Sequence, residues 1–529
     1  MNRTHILHQL ENHPDHWDVL IIGGGATGLG IAVDAATRGY KTLLLEQADF
    51  AKGTSSRSTK LIHGGVRYLA LGQLKLVLNA LKERWLLLHN APHLVKTQPF
   101  VVPVYTWREA FLYFSGLKLY DLLAGKRSLG NSTFISKKKA LKALPTIKAT
   151  GLKGGIRYYD CQFDDSRLAI NLAQTAVENG ACVLNYMQVT GLQQNDAGKV
   201  CGVVAQDLET GLMYKPKAKV VINATGVFVD DILRLEQPDA KPLVRPSQGV
   251  HLVLSHIFLP GSEALMIPKT PDGRVLFAVP WQGKLLVGTT DTIRNTPELE
   301  PKALDREVDF ILETAGGYLT RKPTAADVLS VFAGLRPLAA HKGNPKESKD
   351  IARNFKVILS GSNLITITGG KWTIYREMAE STLNKLIKAS LLPHRPCITT
   401  NLPIHGHTLQ QSTNPHLHAY GADATALEQL QLKHPELAKK LHPAYAYTKA
   451  EVVWAVRHEM ARTVEDVLAR RLRLLFLEAE AAIAAAPAVA AILADELQLP
   501  REWADEQIRQ FTLLAKDYTL TPPVAVHQI

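Results

Sequence analysis

The most regular pattern along the chain is a short unbroken apolar run that ends in small residues. Asp18-Val-Leu-Ile-Ile-Gly-Gly-Gly-Ala-Thr-Gly28 reads as a buried strand entering a glycine turn. A helix-like stretch continues to Arg38, and Gly39 is placed to stop it. Lys41-Thr-Leu-Leu-Leu-Glu46 then reads as a second buried strand ending in an acid, and Val183 to Val189 as another strand. Later runs of this kind are Lys219-Val-Val-Ile-Asn-Ala-Thr-Gly226, Lys356-Val-Ile-Leu-Ser360 and Leu364-Ile-Thr-Ile-Thr368, the last followed by Gly369, Gly370 and Lys371. Between Pro242 and Asp327 the pattern alternates instead, as in Leu276-Phe-Ala-Val279 and Leu285-Leu-Val-Gly288, which predicts antiparallel strands in an inserted domain.

Helical periods appear elsewhere. Asp164-Asp165-Ser166 is an N-cap signal for a helix over Arg167 to Asn179. The stretch from Pro92 to Thr150 reads as irregular and basic, except for an aromatic-rich helix from Trp107 to Leu123. Lys137, Lys138 and Lys139 read as a solvated face. After about Thr400 the composition changes. Thr448-Lys-Ala-Glu451 is a capping box for a long helix whose core stripe is Val452, Val453, Val456, Met460, Val464, Val467 and Leu468. An alanine-rich stretch, Ala479 to Ala491, follows. Arg457, Arg462, Arg470, Arg471 and Arg473 read as surface and ion-pair residues of this helical region.

The first run carries specific chemistry. Gly23, Gly25 and Gly28 form GxGxxG between a strand and a helix, and Glu46 closes the next strand. Such glycines let backbone approach a pyrophosphate, the helix N-terminus favours its charge, and the acid accepts hydrogen bonds from ribose hydroxyls. A second glycine pair, in His63-Gly64-Gly65-Val66-Arg67-Tyr68-Leu69, puts close backbone approach beside a cation. Gly369-Gly370-Lys371 repeats that logic at a strand end.

Composition narrows the rest. A chain of 529 residues is too long for one ordinary core. Its formal charge of +12 favours anionic partners: nucleic acid, acidic headgroups or a phosphorylated substrate. The basic residues are dispersed and carry no nucleic-acid recognition motif, so no nucleic acid is expected. The four cysteines, Cys161, Cys182, Cys201 and Cys397, form no CxxC pair, so neither a metal site nor a disulfide framework is expected. The first residues lack the apolar core of a signal peptide, and no apolar run approaches the ~20 residues a spanning helix needs.

Eight separated motifs then coincide in order: GGGATG, TSSRSTKLIHGGVRYL, YYDCQFDDSRL, NATGVFVDDI, VPWQGKLLVGTTDT, FAGLRPL, TGGKWTIYR and VRHEMARTVEDVLARRLRLLFLEAEAA. Together they resemble the FAD-dependent glycerol-3-phosphate dehydrogenases. The resemblance implies an α/β chain: an FAD-binding dinucleotide fold of the amino-acid-oxidase type, an antiparallel-sheet substrate domain and an all-α C-terminal domain. We expect the oxidoreductase region over residues 1–390, with substrate segments at about 91–150 and 240–330, and the helical domain over 400–529.

The same resemblance implies non-covalent FAD held by Gly23, Gly25, Gly28, Glu46, Thr54, Ser55, Ser56, Lys60, His63, Gly64, Gly65, Val189, Ala224, Thr225, Gly226, Gly334, Gly370, Lys371, Trp372 and Thr373. Arg67, Arg336, Arg353 and Lys371 would surround the phosphate of sn-glycerol 3-phosphate, with His251 as a further ligand. Flavin is expected to take the hydride from C2 while a base takes the hydroxyl proton, His251 being the first candidate and His63 the second. Arg336 and Lys371 would act beside them. Expected partners are the substrate, a membrane quinone and an anionic membrane surface, with a homodimer as the alternative to a monomer. The expected location is peripheral and cytoplasmic, on the inner face of a bacterial membrane. Thr27 stands where many bacterial members carry asparagine. No EF-hand loop follows the helical domain, and no large insertion of the oxidase kind is present. The competing readings are an oxidase that reduces oxygen to peroxide and a non-catalytic flavin-binding sensor.

Overall fold

The computed structural model describes residues 1–12, 17–70, 72–270, 273–339, 355–410 and 412–520, the side chains of residues 67, 70 and 339 excepted. Its first core surrounds a six-stranded sheet in the order 356–359, 364–368, 218–223, 17–22, 42–45, 182–184. All pairs are parallel except the edge strand Lys356–Leu359. Helices such as Ala26–Thr37 and, from a three-stranded sheet, the strand Val200–Asp207 pack into one core with this sheet, so its central strands are buried on both faces, as their unbroken apolar runs require. The expected helix spans Ala26–Thr37, and Gly39 turns the chain with φ +79°. Parallel pairing brings the C-terminal ends of four strands together. The Gly23–Gly28 turn, Glu46, Ala224–Gly226 and Gly369–Lys371 therefore meet along one edge, the crevice where open α/β sheets bind ligands.

The second layer is a ten-stranded sheet that runs from Thr292–Ile293 through Val244–Ser255 to Gly154–Phe163 and Leu61–Ile62. Leu276–Trp281 and Lys284–Gly288 pair antiparallel, as the alternation predicts. The stretch from Pro92 is not irregular. Val95–Val104 is a strand paired with Gly154–Phe163 along its whole length. Pro99 and Pro103 hide it in the sequence. They are tolerated because the pairing on its other side, with Ala264–Ile267, involves Phe100 and Val101 alone. Val183–Val189 is also not one strand. Cys182–Leu184 stays in the first sheet and Met187–Gln194 starts a separate three-stranded sheet, because Tyr186 takes a left-handed turn with φ +54° between them.

The C-terminal region is helical, but the helix expected from the capping box is short. The capping box at Thr448 and Glu451 starts Lys449–Glu459, which ends at left-handed Met460. The Asp466 carboxylate accepts from the Arg462 and Thr463 N–H groups at 2.8 and 3.1 Å and opens a new turn there. Asp466–Arg471 then winds as a π-helix, before helices Ala479–Leu497 and Arg501–Lys516. Val464, Val467 and Leu468 are core residues as expected, on a different element from Val452.

The clearest departure from expectation concerns the arginines. Arg457 and Arg462 pair near the surface with Glu496 and Glu209. Arg470, Arg471 and Arg473 are instead buried at 2, 4 and 1% exposure. The wide π turn aims Arg470 and Arg471 at one carboxylate, Asp49, in the loop after the second strand. Arg470 also pairs with Glu465 and Asp466 at 2.6 and 2.7 Å. Arg473 reaches Asp165 at 3.1 Å, and Asp165 also holds the buried Lys60 ammonium at 2.7 Å. Arg473 and Lys60 both donate to the Ser56 carbonyl. A helical-region cluster thus pins the chain from Asp49 to Lys60 onto the dinucleotide domain.

Burial by itself would raise the Asp49 carboxyl, but Arg471 and Arg470 outweigh it and hold it below the ordinary value. Asp49 therefore contributes stability above the unfolded value of about 3.9, lost as pH falls through its depressed folded value. Asp49→Asn leaves two buried guanidinium groups short of a countercharge, which typically costs about 3–5 kcal/mol. A clear drop in the urea unfolding midpoint at neutral pH is expected, and an unchanged midpoint would remove this cluster from the fold's supports.

Candidate active site

Two cavities meet at the junction of the sheets. The outer one, about 360 Å³, follows the crevice and is lined by Gly23, Gly25, Glu46, Thr54, Ser55, Val189, Ala224, Thr225 and Gly226. The inner one, about 280 Å³, is lined by His63, Gly65, Tyr68, Gly249, His251, Gly334, Arg336 and Thr373, with Phe100, Met266 and Phe277 on its apolar side. Thr54, Pro337, Gly369, Gly370, Lys371 and Trp372 border both, so the two form one elongated site.

The outer cavity has the features of an anion cradle. Gly25 caps the helix Ala26–Thr37 without a side-chain hydrogen bond, and no acidic residue occupies the first turn. A Cβ on Gly23 would lie 2.8 Å from the Ala224 carbonyl oxygen, and one on Gly28 would lie 1.9 Å from that of Gly23. Those two glycines are needed for the turn itself. Gly226 borders open space, with φ +64° and nothing within 4 Å of an added Cβ, whereas a Cβ on Gly25 would lie 3.1 Å from Ser55 Oγ. Glu46 lines the same cavity, its carboxylate accepting from the Gly24 and Ala48 N–H groups. Burial raises its pKa against those two bonds. The Ala26 N–H donates to Ser55 Oγ at 2.9 Å. Small residues, a helix N-terminus with no acid in its first turn and an acid at the second strand's end suit a dinucleotide, and the connected inner cavity gives its second half a place.

The segment between the cavities is held from both sides. Thr54 Oγ1 donates to the Leu335 carbonyl, Trp372 Nε1 donates to the Ser55 carbonyl at 2.8 Å, and Arg57 bridges Ala333 and Glu300. Gly28, Ser56, Lys60 and Gly64 line neither cavity: Gly28 packs inside the turn, and Lys60 is fully buried on Asp165. The Arg67 side chain and Arg353 lie outside the described residues.

In the inner cavity the polar groups converge. Arg336 donates to the Thr290 carbonyl at 3.0 Å and to Thr289 Oγ1 at 2.9 Å, with Asp291 at 3.6 Å. Lys371 lies over the Tyr68 ring with its Nζ at 3.6 Å from the centroid. His251 is 2% exposed, stacks on Phe332 and has Nε2 2.9 Å from Thr59 Oγ1. Its Nδ1 has no partner among the described residues. Burial, then the charges of Lys60 and Arg336, hold its imidazole well below the usual value, so it is neutral at neutral pH. His63 lines the same cavity, and its carbonyl accepts from Thr373 Oγ1 at 3.5 Å.

Sequence reasoning missed the supports of this constellation. Thr59 orients His251. A Cβ on Gly249 would come 2.2 Å from Arg336 Nη2, and one on Gly288 would come 2.4 Å from His251 Cδ2. These two glycines leave room for the cation and the imidazole. Their signal was available, since an isolated glycine inside an apolar strand marks close approach. Thr59 had no such signal, because its partner lies 192 residues away.

Residues 18–376 match the family of FAD dependent oxidoreductases, and residues 356–508 match the C-terminal domain of alpha-glycerophosphate oxidase. A mitochondrial glycerol-3-phosphate dehydrogenase of Arabidopsis thaliana is 40% identical, covering 96% of this chain and 86% of its own length. A probable mitochondrial glycerol-3-phosphate dehydrogenase of Caenorhabditis elegans is 41% identical, covering 91 and 71%. The solved glycerol-3-phosphate dehydrogenase of Bacillus halodurans, complexed with FAD, superposes with a TM-score of 0.79 at 30% identity over 98% of this chain and 97% of that one. A glycine cradle joined to a cationic inner cavity, two family models that together run from residue 18 to 508, and relatives of this identity lead to one conclusion: the chain belongs to the FAD-dependent glycerol-3-phosphate dehydrogenases.

Proposed function

We propose that this chain oxidises sn-glycerol 3-phosphate to dihydroxyacetone phosphate in the inner cavity and passes the electrons to a membrane quinone. The observation that carries the reading is the convergence of Arg336, Lys371, His251 and His63 on a cavity that opens into the dinucleotide crevice. The relatives' names supply the substrate. FAD, when bound, supplies the two-electron acceptor. Its adenosine half is assigned to Gly23–Gly28, Glu46, Val189 and Ala224–Gly226, and its flavin half to Thr54, Ser55, His63–Gly65, Gly334 and Gly370–Thr373. Arg336 and Lys371 hold the substrate phosphate, Arg67 and Arg353 completing the cation set. His251, neutral and turned by Thr59, takes the C2 hydroxyl proton. In this reading residues 1–390 are the oxidoreductase region, with substrate segments at about 91–150 and 240–330, and 400–529 the helical domain.

The quinone assignment draws on the helix Trp107–Ala124. Trp107, Phe111, Leu112 and Leu122 are 65, 76, 64 and 76% exposed, and Arg108, Lys126 and Arg127 flank them at the surface. An exposed apolar face between cations suits shallow insertion into an anionic bilayer. No helix among the described residues is long and apolar enough to cross a membrane, which fits a peripheral position on its inner face. The decisive experiment is anaerobic. Added sn-glycerol 3-phosphate should bleach the flavin, and a short-chain quinone should restore it faster than air. Faster recovery in air, with peroxide formed, would favour the oxidase; no bleaching would favour the sensor.

Replacing Arg336 with alanine should cost several kcal/mol in kcat/KM, about a tenfold loss for each 1.4 kcal/mol. Lysine should restore part of it, keeping the charge without the bidentate fork. Near-normal efficiency of the alanine variant would take Arg336 out of the phosphate site.

For His251 the sign follows from its depressed pKa. The base form persists as pH falls through the usual imidazole range, near about 6.5, and protonation cuts the rate only at lower pH. Anaerobic flavin reduction should therefore stay flat from about pH 8 to 6.5, and His251→Asn should slow it about 10²–10⁴-fold. A limb near pH 6.5 that survives in the variant would make His63 the base.

Vesicles of anionic lipid should pull down the wild-type protein, with salt loosening it and detergent freeing it. Phe111→Ser combined with Leu122→Ser should bind less. Equal binding by that double variant would discard this helix as the contact.

A further inference from the structure

A buried polar cluster stands directly behind the inner cavity and is used by none of the chemistry above. It joins Arg84 of the helix Leu74–Asn90, Tyr120 of the helix Trp107–Ala124 and Asp160 of the strand Gly154–Phe163. The three are 1, 2 and 2% exposed. Arg84 Nη1 donates to Asp160 Oδ1 at 2.6 Å, and the Tyr120 hydroxyl donates to the same carboxylate at 2.9 Å. Arg84 Nη2 donates to the Arg127 carbonyl at 3.2 Å. Burial raises the Asp160 carboxyl, and Arg84 opposes it.

The cluster ends on one backbone amide. The Gly64 N–H donates to the Tyr120 hydroxyl at 2.9 Å and points toward Asp160 Oδ1 at 3.3 Å. Gly64 sits between His63 and Gly65, which both line the inner cavity, and Asp160 lines it too. A Cβ on Gly64 would lie 2.3 Å from the Tyr120 oxygen and 2.6 Å from Leu81 Cδ2, so the turn is pressed flat against the cluster. Gly65 follows with φ +82°. Gly64 and Gly65 have no side chains to locate the turn, so its depth in the cavity depends on backbone ties, and the Gly64 amide is the tie that meets this cluster.

We propose that Tyr120 and Asp160, braced by Arg84, are positioning residues that set the depth of the His63–Gly65 turn against the flavin. The inference rests on reading the inner cavity as the flavin and substrate site. It also makes the helix with the exposed apolar face carry, on its inward side, one contact to the active-site turn.

The test uses the FAD-loaded full chain and two near-isosteric changes, Tyr120→Phe and Asp160→Asn. Both should retain flavin while shifting its absorption maxima and its reduction potential, measured by equilibration with a reference dye. Loss of one hydrogen bond to the amide should lower kcat roughly 5- to 20-fold, with KM moving less than about 2-fold. Wild-type spectra and potentials in the variants, or a change confined to KM or to thermal stability, would overturn the proposal. Should Asp160→Asn fail to fold, Tyr120→Phe alone decides. Bleaching of the wild-type flavin by sn-glycerol 3-phosphate judges the underlying site reading separately, since the proposal concerns differences between variant and wild type.

Discussion

Everything at the cofactor end depends on burying cations of the C-terminal region against carboxylates of the dinucleotide domain. Arg470 and Arg471 share Asp49, while Arg473 and Lys60 share Asp165. Isolated, any of these charges would be too costly to bury; together they are held by mutual attraction and by backbone carbonyls such as that of Ser56. Asp49 lies three residues beyond Glu46, and Asp165 fixes the Ser58 amide and hydroxyl. The walls of both cavities are thus anchored from the side away from the cavities.

That arrangement lets the helical region support the site although none of its described residues lines either cavity. Phe476 packs edge-on to Phe332, and Phe332 stacks on His251. The Ser330 hydroxyl donates to the Leu475 carbonyl, tying the strand that carries Gly334 and Arg336 to the same region. The imidazole and the strand that carries the guanidinium are thus backed by packing from more than a hundred residues later in the chain, in addition to Thr59, Thr289 and Thr290. A rigid support of this kind suits chemistry in which a hydride leaves a carbon while a proton leaves the oxygen bonded to it, each in a defined direction.

The inner cavity also shows how glycine is used twice. In the Gly23–Gly28 turn it allows backbone to meet backbone, with φ +109° at Gly23. In the strands at Gly249 and Gly288 it makes space for a functional side chain on the neighbouring strand. The second use leaves the strand regular and is easily overlooked in a sequence.

Local rules made much of this protein legible in its sequence. Unbroken apolar runs identify the parallel strands because both faces are covered, and GxGxxG with Glu46 identifies the cradle because strand, turn and helix are contiguous. The alternation at Leu276–Val279 and Leu285–Gly288 gives its hairpin for the same reason. Tertiary structure alone decided where long-range partners cancel a local preference. Arg470, Arg471 and Arg473 look like surface cations until Asp49 and Asp165 are brought to them. Val95–Val104 looks broken by prolines until Gly154–Phe163 pairs with it. Thr59 and the Tyr120–Asp160 pair have no signature, since each matters through a group from a distant segment. A sequence displays periodicity and short motifs, whereas the energy of a buried charge or hydrogen bond depends on which remote atom completes it.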